Sequence, residues 1–155
     1  MIDWKTASLF SACCEIGSLL GGADSETVSQ YANFGRSLGL AFQVQDDYLG
    51  VWGLDDITGK SAVLDLESGK KTFPILYGLE RKGKFSKLWN LDNDKQKDIS
   101  ALSSLLEEEG AKSFTGENID RLIAQSRRQL LLANPQGPSL AGLLHLLDDV
   151  AERNK

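Results

Sequence analysis

Apolar residues recur at helical spacing along almost the whole chain, and no stretch sustains the alternation of a half-buried strand. The first pattern runs from Trp4 to Leu20, where Gly21 and Gly22 provide a C-terminal stop. A second begins after Asp24 or Ser25, either of which can cap a helix, and continues to Val51, so a helix longer than about 25 residues is predicted. These patterns predict an all-α bundle of about six helices.

Four more stretches with helical spacing complete this prediction: 72–81, 92–110, 116–133 and 139–154. Pro74 falls near the first turn of the first stretch, where its missing N–H does no harm. Between the helices, residues 53–71 break the periodicity with three glycines and predict a long loop. In the second helix, Gly35 and Gly39 lie four residues apart and predict the close approach of another helix.

Length and charge narrow the class of protein. The 155 residues predict a single all-α unit, and the formal charge of −5 disfavours nucleic acid as a partner. No apolar run approaches the roughly 20 residues that span a bilayer, and the start lacks the basic region of a signal peptide, so a cytoplasmic location is expected. Cys13 and Cys14 are adjacent and are interpreted as small core residues. His145, on a leucine-rich helix, is interpreted as noncatalytic because no acid–base partner is evident.

Two adjacent acids, Asp46 and Asp47, interrupt the apolar run "GLAFQVQDDYLGVW". On a helix they share a face with Gln43 and Gly50. Two carboxylates about 6 Å apart repel by about 3 kcal/mol at an effective dielectric near 20, so an unpaired double acid calls for a cation. Mg²⁺ accepts such an open pair because it commonly retains waters and phosphate oxygens as ligands. The pair therefore indicates a magnesium site.

Lysines close to this pair in sequence add the opposite charge. Lys60 and Lys70 stand on either side of Asp65 in "TGKSAVLDLESGKKT", and Lys5 and Thr6 open the first helix. Metal-binding acids combined with lysines favour a diphosphate ligand, because lysine acts as a point charge on phosphate oxygens. From spacing alone the alternative stays open that these residues form a solvated acidic face with lysines for solubility.

Three stretches in order, "KTA" from Lys5, "FQVQDDYLGVWG" from Phe42 and "TGKSAVLDLESGKKTFPIL" from Thr58, resemble the C-terminal half of the trans-isoprenyl diphosphate synthases, the polyprenyl synthetase family. The resemblance covers residues 3 to about 82. It implies an all-α fold around a deep cavity, a homodimer, and Mg²⁺-dependent ionisation of an allylic diphosphate followed by attack of isopentenyl diphosphate, as in farnesyl or geranylgeranyl diphosphate synthases.

The resemblance also assigns roles to individual residues. It implies that Asp46 and Asp47 form the second aspartate-rich motif and bind Mg²⁺, and that Gln43 supports this face. Lys5, Lys60 and Lys70 are expected to contact the allylic diphosphate, and Thr6 is expected to help orient the substrate or to help deprotonate it. The residues implied to be catalytic are thus Lys5, Thr6, Gln43, Asp46, Asp47 and Lys60.

Two departures from the family pattern matter. Gly50 occupies the position of the third acid in D-D-x-x-D, and a water molecule, or Asp55 or Asp56, is expected to fill the gap; the alternative is a weakened metal affinity. The family's first aspartate-rich motif has no counterpart in the chain, which predicts a missing N-terminal half and no condensation by residues 1–155 alone. The alternatives are a noncatalytic helical interaction module, one subunit of a split enzyme, or a terpene cyclase on a related fold.

Overall fold

The computed structural model describes residues 3–53, 64–91 and 98–152, and side chains from Lys5 onward. Within these ranges all regular structure is helical, which confirms the predicted all-α class. A π-helical turn, Asp3–Ala7, leads into eight α-helices: α1 Ser8–Leu20, α2 Ser25–Trp52, α3 Leu64–Glu67, α4 Phe73–Arg81, α5 Lys84–Trp89, α6 Ile99–Glu108, α7 Ala111–Ala133 and α8 Ser139–Glu152. None of these helices is long and apolar enough to cross a bilayer.

The predicted start of α2 agrees with its observed cap. Asp24 precedes the 28-residue α2, and its Oδ1 accepts a hydrogen bond from the N–H of Thr27 at 2.8 Å. Asp98 caps α6 in the same way through the N–H of Ala101 at 3.0 Å, so within the described residues this helix starts at Ile99 inside the predicted stretch 92–110. The predicted start of the next helix at residue 116 is wrong, because α7 begins at Ala111. The predicted long loop over 53–71 is wrong at its C-terminal end, where the one-turn helix α3 forms because Leu66 is buried in a hydrophobic cluster.

The chain divides into two compact units, one of residues 1–45 and 118–155 and one of residues 46–117. In the first unit α1 and α2 pack closely at Gly35 and Gly39. A Cβ added to Gly35 would lie 2.8 Å from the carbonyl carbon of Phe10, and one added to Gly39 would lie 2.8 Å from the Cα of Ala7. The predicted close approach at these two glycines is confirmed, since only a residue without a side chain fits there.

The second unit is built on a cluster of buried apolar side chains from α2 to α7. Val51, Leu66, Ile75 and Leu106 are 1% exposed or less in this cluster. Burying each side chain of this size contributes roughly 1.5–3 kcal/mol. Because Leu66 belongs to the same cluster as Val51 and Ile75, the core holds α3 and the start of α4 against the end of α2.

The two cysteines are not the core residues that the sequence predicts. Cys13 is exposed and Cys14 is half-buried. Phe10 and Cys14 lie on the face of α1 that packs against Gly35. Cys13, one residue before Cys14, therefore lies on a different face of the helix. Burial is the main cause that raises the pKa of the Cys14 thiol, with Cys13 adding to it.

Candidate functional site

The end of α2 presents two adjacent carboxylates to different environments. Asp46 is exposed to solvent, whereas Asp47 is only 2% exposed. Neighbouring helical residues point about 100° apart, so one can face water while the next faces the core. The structure therefore separates the two members of the predicted aspartate pair.

Asp47 is held by the first turn of α4. Its Oδ2 accepts a hydrogen bond from the N–H of Phe73, the first residue of that helix, at 2.9 Å. Thr72 occupies the N-cap position but makes no capping bond with its own side chain, and its buried hydroxyl lacks a hydrogen-bond partner. A carboxylate suits this place because the unpaired N–H groups of a helix N-terminus carry partial positive charge.

The missing third acid is explained by a residue from α3. A Cβ added to Gly50 would lie 2.7 Å from the carboxyl carbon of Asp65 and still closer to its Oδ2. The Asp65 side chain is mostly buried, with 14% of it exposed. The carboxylate of Asp65 thus occupies the space beside Gly50, where a water molecule, Asp55 or Asp56 was expected. Asp55 and Asp56 themselves lie outside the described residues.

Lys70 is placed by the local structure that follows α3. Gly69 adopts φ +65° and donates to the carbonyl of Leu66, while the N–H of Lys70 donates to the carbonyl of Asp65 at 3.0 Å. These two bonds form a Schellman cap. The Nζ of Lys70 then reaches Oδ1 of Asp65 at 3.3 Å, with half of the lysine side chain exposed. Such a partly exposed ion pair is worth about 0–1 kcal/mol, so Lys70 can exchange its carboxylate for another anion at little cost.

Two further predicted residues meet in the first unit. The hydroxyl of Thr6 donates to Oε1 of Gln43 at 2.9 Å, although 37 positions separate them in sequence. Lys5 is exposed in the π-helical turn that carries Thr6. Along α2, Gln43 stands one turn before Asp46, as helical spacing requires. Lys60, which the resemblance assigned to the diphosphate, lies outside the described residues.

The described side chains fit a metal shared with a ligand better than a closed metal cage. In the parts of the chain that the structure covers, no three His, Cys, Asp or Glu residues come together as a cage. Asp46 offers an exposed carboxylate, and Lys71 is also exposed, immediately after Lys70. Mg²⁺ is typically bound through one or two carboxylates and completes its shell with water and phosphate oxygens, so this donor set is compatible with it.

Asp65 is the residue that sequence reasoning missed. Its position between Lys60 and Lys70 was noted, but the resemblance gave it no role. A usable signal was present, because a glycine in place of an acid leaves a space that another side chain must fill. Asp65 lies on the one-turn helix α3, which is held in place because Leu66 packs into the core of the second unit. Helical periodicity in the sequence does not reveal this packing.

An open cavity of about 570 Å³ lies elsewhere, in the first unit. It is lined by α1, α2, α8 and the segment between α7 and α8, including Cys13, Tyr31, Pro135 and Leu143. Among the described residues predicted to act on a diphosphate, none lines this cavity. On α1, the apolar side chains of Leu9, Ile16, Leu19 and Leu20 are all more than half exposed.

Comparisons with known proteins agree on one family. The family profile of polyprenyl synthetase matches residues 1–108. A (2E,6E)-farnesyl diphosphate synthase of Mycobacterium bovis is 34% identical over 133 residues, which is 81% of this chain and 37% of that protein. The crystal structure of a decaprenyl diphosphate synthase from Rhodobacter capsulatus superposes with a TM-score of 0.85 at 29% identity, over 99% of this chain and 49% of the other.

A polyprenyl synthase from Caulobacter crescentus, crystallised with calcium and isoprenyl diphosphate, superposes with a TM-score of 0.83 at 28% identity, over 99% of this chain and 48% of the other. The chain thus spans half or less of the length of these proteins.

Proposed function

Because this chain belongs to the polyprenyl synthetase family, we propose that it forms the C-terminal half of a trans-isoprenyl diphosphate synthase. The proposed reaction joins an allylic diphosphate to isopentenyl diphosphate. The allylic C–O bond breaks, the diphosphate leaves with the electron pair, the isopentenyl double bond attacks the allylic carbon, and a proton is then lost from the adduct. The observation that carries the proposal is the exposed Asp46 carboxylate on the same unit as the exposed Lys70 and Lys71.

In this proposal Asp46 would hold Mg²⁺ together with the allylic diphosphate, and the bound ion would supply positive charge to the departing diphosphate. Lys70 and Lys71 would add fixed positive charge around the phosphate oxygens. Lys5 and Lys60 keep the diphosphate-binding role that the resemblance implies. Lys70 changes partner from Asp65 to the phosphate, an exchange that the weak ion pair permits.

The remaining predicted residues orient the substrate. The hydrogen bond from Thr6, on the π-helical turn, to Gln43, on α2, restricts the rotamers of both side chains. Restricting these side chains lowers the entropy cost of holding a substrate in one geometry. Asp47 belongs to the same motif, and its described contact is with the protein backbone.

In this proposal, condensation requires a polypeptide segment or subunit outside this chain, which spans 37–49% of the length of the matched proteins described above. We place the isopentenyl diphosphate site and the first aspartate-rich motif in that missing part. The exposed leucines and isoleucine of α1 favour a second form of the proposal, in which this chain is one subunit of a split prenyltransferase. A homodimer and a cytoplasmic location are further parts of the proposal.

The proposal is tested by titrating inorganic diphosphate into the purified chain by calorimetry, with and without Mg²⁺. Binding is expected with Mg²⁺ and is expected to weaken at least tenfold in Asp46→Asn. The control is Asp120→Asn, which removes an exposed carboxylate from α7 and should bind as the wild type does. Absence of Mg²⁺-dependent binding to the wild-type chain, or equal binding by Asp46→Asn, would refute the proposed site.

A further inference from the structure

We infer that Asp47 is a positioning residue rather than a metal ligand: its buried carboxylate fastens the N-terminus of α4 to α2, and metal binding falls to Asp46. This inference rests on the proposed function, since it divides the roles within the motif to which Mg²⁺ is assigned. It departs from the reading of Asp46 and Asp47 as equivalent ligands. Asp46 is exposed, whereas Asp47 is buried and accepts a backbone hydrogen bond.

The first step of the argument is access. Asp47 is 2% exposed and its Oδ2 already accepts the N–H of Phe73 at 2.9 Å. Mg²⁺ loses its water shell reluctantly and usually keeps several waters, so it favours a ligand that water reaches. Asp46, one position earlier, is exposed and meets this requirement.

The second step is the state of the α4 N-terminus. An N-cap threonine normally accepts a hydrogen bond from the second or third helical N–H. Thr72 makes no such bond, and its buried hydroxyl lacks a hydrogen-bond partner. The carboxylate of Asp47 instead accepts a hydrogen bond from the first N–H of the helix, that of Phe73. A negative charge at this place also interacts favourably with the helix dipole.

The third step concerns what the contact positions. Lys70 and Lys71 directly precede Thr72, and Thr72 donates its N–H to the carbonyl of Lys70 at 3.1 Å. Fixing Phe73 to α2 therefore fixes the segment that carries both lysines relative to the helix that carries Asp46. Asp47 in this way sets the distance between the metal ligand and the cations that serve the same diphosphate.

The first experiment compares isosteric variants in the diphosphate titration with Mg²⁺. Asn at position 47 can still accept the N–H of Phe73 through its amide oxygen. We expect Asp47→Asn to bind within about threefold of wild type, and Asp46→Asn to bind at least tenfold more weakly. Equal losses in the two variants would overturn the inference, because a metal ligand at position 47 would not be replaced by an amide so well.

The second experiment follows hydrogen exchange of the Phe73 amide and needs no ligand. Asp47→Ala should exchange roughly tenfold faster at Phe73, as expected for the loss of a helix cap. Asp47→Asn should stay within about threefold of wild type, and Asp46→Ala should leave the rate unchanged. Unchanged protection in Asp47→Ala would overturn the inference. If the wild-type chain binds no Mg²⁺ and diphosphate, the proposed function fails, and the exchange rates still decide whether Asp47 fixes α4.

Discussion

Introducing the third acid of the motif, by Gly50→Asp, should destabilise the protein. The new Cβ would lie 2.7 Å from the carboxyl carbon of Asp65, closer than side chains normally approach. The new carboxylate would also share a mostly buried site with Asp65, whose charge is matched at present by Lys70 at 3.3 Å. One lysine would then face two carboxylates.

The magnitude follows from the distance between the charges. Two carboxylates about 4 Å apart repel by about 4 kcal/mol at an effective dielectric near 20 and by about 1 kcal/mol in water. Because the Asp65 side chain can rotate toward water, the loss should fall between these limits. Gly50→Ala separates charge from bulk, since it gains about 0.5–1 kcal/mol of helix propensity against a small shift of Asp65. Its net effect should be close to zero.

Urea unfolding followed by circular dichroism measures these differences. The double variant Gly50→Asp with Asp65→Asn should recover most of the loss, because it removes the repulsion and keeps the shape of both side chains. Raising the salt concentration to about 1 M should also recover part of it, since the Debye length falls to about 3 Å. If Gly50→Asp were as stable as Gly50→Ala, and the double variant showed no coupling, the placement of Asp65 beside Gly50 would be wrong.

Further outcomes follow from other contacts. Gly35→Ala should lower the free energy of unfolding by about 1–3 kcal/mol, because its Cβ would meet the Phe10 backbone. The control Gly116→Ala has open space around its Cβ and should not destabilise α7. Equal melting temperatures for the two variants would contradict the close packing of α1 on α2. The hydrogen bond to Asp149 at 3.0 Å raises the pKa of His145, as does the charge of Asp149. The stabilisation from this pair should be fully present below the ordinary histidine pKa of about 6.5 and should be lost as the pH rises through the raised pKa. Urea unfolding midpoints measured from pH 5.5 to 8 should show this loss in the wild type and not in His145→Gln. The purified chain, given both diphosphates and Mg²⁺, should form no condensation product, and product detected by chromatography would contradict the need for the missing part.

Sequence patterns were sufficient for the features of this fold that depend on neighbouring residues. The length of α2, its cap at Asp24 and the start of α4 at Thr72 follow from helical spacing and from the chemistry of helix ends. The tight packing at Gly35 was also predictable, because two glycines four apart leave one side of a helix free of side chains.

Features that depend on distant parts of the chain were not predictable in this way. The exposure of Cys13 depends on which side of α1 packs against α2, and the helical pattern does not decide that. His145 was interpreted as lacking an acid partner, yet it contacts Asp149 one turn later, a pair that i, i+4 spacing predicts when charge is considered. The position of Asp65 beside Gly50 required knowledge of how α3 packs.

The aspartate pair shows how such a distant contact changes an electrostatic argument. From the sequence alone, repulsion between two carboxylates on one helical face, about 3 kcal/mol at 6 Å, calls for a cation shared by both. The structure supplies part of the compensation without a metal, because the N-terminus of α4 carries about half a positive charge and donates its first N–H to Asp47. The argument for an external cation then applies to Asp46, the exposed member of the pair and the residue proposed above to bind Mg²⁺. A double acid in an apolar helix can thus hold one carboxylate for structure and leave the other for a metal.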